Sequence, residues 1–77
     1  MKKELYMIDI GRTFEKLVKE KGIMRMTVAE RLGVSVVRVS QIYHSKDRVN
    51  FVTIQKMAEI LDIQPSTLIK KAEQDNQ

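Results

Sequence analysis

The sequence predicts an all-α fold, a compact five-helix bundle. Three observations predict it. Apolar residues recur at spacings of three and four, the period of a helix, and no stretch keeps the strict alternation of a half-buried strand. Gly11, Gly22, Gly33 and Pro65 are the strong breakers, and between them lie helix-sized periodic pieces. A hydrophobic share of 43% beside a charged share of 31% describes a globular chain, and 77 residues leave room for one domain.

The first helix is expected from about Ile10 to Lys21, with Phe14, Leu17 and Val18 as its apolar stripe, Asp9 as N-cap and Gly22 as its stop. The second covers about Arg25 to Leu32 and stops at Gly33. Its start is ambiguous. Met24 stands where a capping Ser or Thr is expected, while Thr27 and Glu30 fit a capping box three residues later. The third follows Ser35, a good N-cap, and runs to about His44 with Val39 and Ile42 buried. Valines at 34, 36, 37 and 39 suggest a strand, but Ser35, Arg38 and Ser40 break the alternation. Asn50 caps the fourth helix, which carries Phe51, Ile54, Met57, Ala58 and Leu61 on one side. Asp62 follows where a left-handed residue is wanted. Pro65 opens the fifth helix, which carries Leu68 and Ile69. Residues 1–9 read as an N-terminal extension, 10–72 as the domain and 73–77 as a frayed tail.

The net charge is +4 and the pI about 9.6, a balance suited to a polyanionic partner. Residues 1–24 hold six Lys/Arg and four Asp/Glu, residues 25–48 five and two, and residues 49–77 three and four. The basic excess therefore lies in the first 48 residues. With no cysteine and one histidine, neither a disulfide framework nor a metal site is expected, and no cofactor or small-molecule effector is evident. No apolar run is long enough to span a membrane, and the residues after Met1 do not form a signal peptide, so a cytoplasmic protein is expected. No nucleophile–base pair, phosphate loop or metal cluster is present, so no enzyme is expected.

Residues 28–42 carry the most information. Two helices joined steeply by a tight turn need a small residue for close approach (Ala29), a residue free to take positive φ (Gly33) and a β-branched plug (Val39). Val28, Leu32 and Ile42 then seal the pair onto the other helices. This pattern is a helix-turn-helix, whose second helix enters the DNA major groove.

From about Ile10 to Ile69 the chain resembles the phage repressor and Cro (XRE-like) type of helix-turn-helix domain, common in transcriptional regulators. The resemblance rests on Ile10-Gly11, Phe14, Leu17 and Gly22-Ile23, on Ala29 through Ser35, on Ile42 and Lys46, and on Thr53, Met57-Ala58 and Leu61 ahead of Pro65. It implies a sequence-specific regulator of double-stranded DNA, most simply a repressor acting as a homodimer on a palindromic operator. It places Val36, Val37 and Gln41 at base edges. Gln41 is suited to adenine N6 and N7, and the valines to thymine methyls. It places Arg25, Arg38, Ser40, Tyr43, His44, Lys46 and Arg48 near the DNA backbone, with the start of the second helix aimed at a phosphate. Residues 5–8, and the fifth helix around Ile63, Leu68 and Ile69, are the two candidate dimer surfaces. Many relatives hold a paired arginine and glutamate at the positions of Val18 and Tyr43. Their joint replacement predicts that Val18 packs on the Tyr43 ring.

Two rival readings remain. An antitoxin-like or adaptor module on the same fold would carry a long disordered or strand-forming extension, which is not visible. RNA binding would favour exposed aromatics for stacking, and Phe14 and Phe51 both fall on expected core faces.

Overall fold

A computed structural model describes residues 10–44 and 50–75. Among these residues the fold is all-α: α1 (Ile10–Lys21), α2 (Arg25–Leu32), α3 (Val36–His44), α4 (Phe51–Leu61) and α5 (Pro65–Asp75). The five expected helices are all present. Asp9, residues 5–8, Lys46 and Arg48 lie outside the described residues.

Three helices end in one way. In α1, α2 and α4 the residue after the helix takes a left-handed conformation: Gly22, Gly33 and Asp62. The next amide reaches back to a carbonyl five residues earlier: Ile23 to Val18, Val34 to Ala29 and Ile63 to Ala58, at 3.0–3.1 Å. This is the Schellman ending, and an apolar residue at the second position beyond the helix normally accompanies it. Ile23, Val34 and Ile63 are those residues, and each packs half-buried on the core. Each stop signal in the sequence thus also pins the following turn to the bundle.

The core is one cluster built from Phe14 and Val18 of α1, Val28, Ala29 and Leu32 of α2, Val39, Ile42 and Tyr43 of α3, Ile54, Met57, Ile60 and Leu61 of α4, and Leu68 of α5. α1 packs against α3, α4 and α5, while α2 packs against α3 and α4. Gly11 sets the closeness of α1 and α3. A Cβ built there would collide with the backbone carbonyl of Ile42.

Two expectations are corrected by burial. Phe51 is 58% exposed and does not join the face of Ile54, Met57 and Leu61. It opens α4, and at a helix end the apolar stripe can point along the bundle with no neighbour standing opposite. Leu68 is wholly buried among the protein's own helices, so it is unavailable to a partner.

Residues 73–75 form the last turn of α5 rather than a tail. Thr13 Oγ1 donates to Asp75 Oδ2 at 3.0 Å, and Lys16 Nζ to Oδ1 at 3.4 Å. A carboxylate at a helix C-terminus opposes the helix dipole. Those two donors from α1 offset that cost and hold the end of α5 in place.

Candidate nucleic-acid interface

α3 starts cleanly. Ser35 Oγ accepts from the Arg38 amide at 3.1 Å, the cap expected from the sequence. At about 3.6 residues per turn, burying Val39, Ile42 and Tyr43 turns Val37, Gln41 and His44 to the opposite side. All three are exposed. Arg38 flanks this stripe on one edge, and Val36 and Ser40 flank it on the other. Val37 is 67% exposed and Val36 40%, with Val36 leaning towards the bundle. An exposed valine gains nothing from water, so this helix face is apolar at its first turn and polar further along.

The start of α2 stands beside it. Met24 precedes α2 with extended backbone and makes no side-chain cap. The Thr27–Glu30 capping box is not used as a start, since α2 begins at Arg25. The first helical bond runs from Val28 to the Met24 carbonyl at 3.1 Å. The amides of Arg25, Met26 and Thr27 therefore have no partner among the described residues, and no acidic side chain stands in the first turn. Such a helix start is a ready anion site.

Arg25 joins the two elements. Its Nη1 donates to Ser40 Oγ at 3.0 Å, and its guanidinium lies 5.7 Å from the centre of the Tyr43 ring. That is cation–π range. Tyr43 was expected at the DNA backbone, but it is only 3% exposed. Its ring meets Phe14 at 6.0 Å, tilted by 57°, and forms the floor on which Arg25 rests. Burial pushes the phenol up from its ordinary value of 10.0; nearby Arg25 lowers it and Glu15 raises it. The group is neutral near neutral pH. Val18 and Tyr43 are both buried in the one core cluster, where an unpaired charge would be costly.

The second arginine of this region grips Gln41. Arg38 Nη1 donates to Gln41 Oε1 at 3.3 Å. Sequence spacing places Arg38 and Gln41 on neighbouring positions but gives no sign of this bond or of the Arg25–Ser40 bond. Among the described site residues, the fold thus brings Arg25, Val36, Val37, Arg38, Ser40, Gln41 and His44 to one side of α2 and α3, and withdraws Tyr43.

The Cro/C1-type HTH DNA-binding domain matches residues 13–72. The chain belongs to that family. The Cro/C1-type fold also appears in a solved structure, the restriction-modification controller protein C.AhdI from Aeromonas hydrophila. The two superpose with a TM-score of 0.68 and 29% identity, over 80% of this chain and 94% of that one. Among curated proteins none matches. As a Cro/C1-type domain, the chain is a DNA-binding transcription regulator. No helix among the described residues is long and apolar enough to cross a membrane. No group of His, Cys, Asp and Glu among them could hold a metal ion.

Proposed function

We propose that this chain represses transcription by binding a palindromic operator as a homodimer, with α3 in the major groove. The observation that carries the reading is the outward stripe of α3 beside the uncapped start of α2. Val37 and Gln41 face base edges, with Val36 at their margin. Arg38, Ser40 and His44 flank them, and Lys46 and Arg48 follow in the chain as backbone contacts. Arg25 and the free amides of α2 take a phosphate. Tyr43 serves this contact from below, as the platform for Arg25. A single domain reads only a few base pairs, and two half-sites about one helical turn apart are the usual remedy. Phe51 and Val52, adjacent and both 58% exposed, supply apolar surface that a second copy would cover. Repression is the simplest outcome of a DNA-binding domain seated on an operator that overlaps a promoter, because it occludes that promoter.

Sedimentation on the best duplex found in a random pool tests the dimer. Two chains per duplex with a two-fold symmetric consensus are expected, and Phe51→Glu should lower the stoichiometry or cooperativity without unfolding the chain. One chain per saturated duplex overturns it. A reporter gene under a promoter overlapping the consensus tests the sign. Expression should fall when the chain is present, and a rise overturns repression.

A further inference from the structure

Two hydrogen bonds on α3 share a polarity. Ser40 Oγ accepts from Arg25, and Gln41 Oε1 accepts from Arg38. In both, an acceptor on the exposed helix is turned towards a cation of the protein itself. The Gln41 amide orientation is chemically forced, because a guanidinium carries five N–H donors and no acceptor. Only the carbonyl oxygen of Gln41 can meet Arg38. Its NH₂ group therefore points away from Arg38. The Ser40 hydroxyl, having accepted from Arg25, is left with its proton to donate. The neighbours Val36 and Val37 contribute no polar atoms.

From this arrangement we infer that Arg38 is a specificity-determining residue, and that with Gln41 it reads guanine rather than adenine. The inference rests on the reading of α3 as the element in the major groove. A glutamine reads adenine by using both halves of its amide, accepting from N6 and donating to N7. Here the accepting half faces a guanidinium. An adenine brought to that oxygen would also press its N6 amino group, a donor, against the Arg38 donors. Guanine presents acceptors at both O6 and N7. The Gln41 NH₂ group and a spare Arg38 N–H can each meet one. Val37, on the same outward stripe one turn earlier, fits a thymine methyl beside that guanine. Arg38 thereby becomes more than a phosphate contact: it decides which purine Gln41 accepts.

The test uses the full chain. Duplexes are selected from a random pool by the wild type and by Gln41→Ala, and the base pair whose preference Gln41→Ala abolishes is identified. Wild type and Arg38→Ala are then titrated with duplexes carrying G·C or A·T at that pair, with circular dichroism confirming that the variants fold. The wild type is expected to prefer G·C by about five- to 150-fold, the discrimination of one good two-point contact. Arg38→Ala frees the Gln41 carbonyl, so the preference should vanish or reverse towards A·T. A wild-type preference for any pair other than G·C overturns the inference alone, as does an Arg38→Ala variant that keeps the wild-type ratio. Absence of any sequence-dependent binding by the wild type overturns the DNA-reading role of α3 and this inference with it.

Discussion

On α3, Val39, Ile42 and Tyr43 point into the bundle while Val37, Gln41 and His44 point out of it, and different physics governs the two sets. The inward set is fixed by close packing. Gly11 lies against the Ile42 carbonyl and Phe14 against the Tyr43 ring, and Val39, Ile42 and Tyr43 are all buried in the core cluster. In the outward set Gln41 is held by its hydrogen bond to Arg38, while Val37 and His44 stand exposed. Inward substitutions should therefore cost stability. Outward ones should leave the fold alone and change only what the helix can bind.

The largest effect is expected on the inward side. Val18→Arg places a charge in the cluster that also holds Tyr43 and should destabilise the chain by about 3–5 kcal/mol. Adding Tyr43→Glu supplies a partner and should recover much of that loss. Urea denaturation of both variants and of the Tyr43→Glu single variant completes the cycle. Additive losses would show that the two positions do not meet.

Next comes Gly11→Ala. The added Cβ meets backbone rather than a movable side chain, so α1 and α3 must part. A loss of about 1–3 kcal/mol is expected from overpacking of this kind. A midpoint unchanged in urea would mean that the two helices are not held at that separation.

Gln41→Ala tests the outward side with a comparable magnitude but in a different observable. Its stability should stay within about 0.5 kcal/mol of wild type, while binding to the best duplex weakens by about 1–3 kcal/mol. Loss of stability together with binding would erase the distinction between the two faces.

The smallest effect sharpens the comparison at the start of α2. α4 has a side-chain cap, the Asn50 carbonyl oxygen accepting from the Thr53 amide at 2.8 Å, and α2 has none. If the α2 amides are kept open for a phosphate, Met24→Asp should raise stability by about 1 kcal/mol and weaken DNA binding. Thermal melts and duplex titrations of the same variant check both signs. Higher stability with unchanged binding would leave the missing cap without a functional reason.

The elements were largely legible because their signals are local. Ser35 and Asn50 announce helix starts, and Gly22, Gly33 and Asp62 announce stops through their own backbone preferences. The misreading of Phe51 shows the limit of periodicity. An apolar stripe gives the direction of a side chain, not whether another element stands there. Gly11 reads as a breaker in the sequence, yet it lies inside α1, where its missing side chain admits the Ile42 carbonyl. The Thr13–Asp75 bond joins residues 62 positions apart, and no local pattern could announce it. At the interface, residue types and spacing identified the outward face of α3. They could not show that Tyr43 lies under Arg25, nor that Arg38 holds Gln41, because both depend on where long side chains come to rest.

The central claim, that the outer face of α3 reads duplex DNA by sequence, is tested most directly by one titration series. The selected duplex and a base-shuffled duplex of equal length are compared by fluorescence anisotropy across salt concentrations. The selected duplex should bind at least about a thousandfold more tightly. Affinity for both should fall steeply, by about a thousandfold or more between 50 and 200 mM salt if six phosphates are neutralised. Equal affinity for the two duplexes at every salt concentration would contradict the claim.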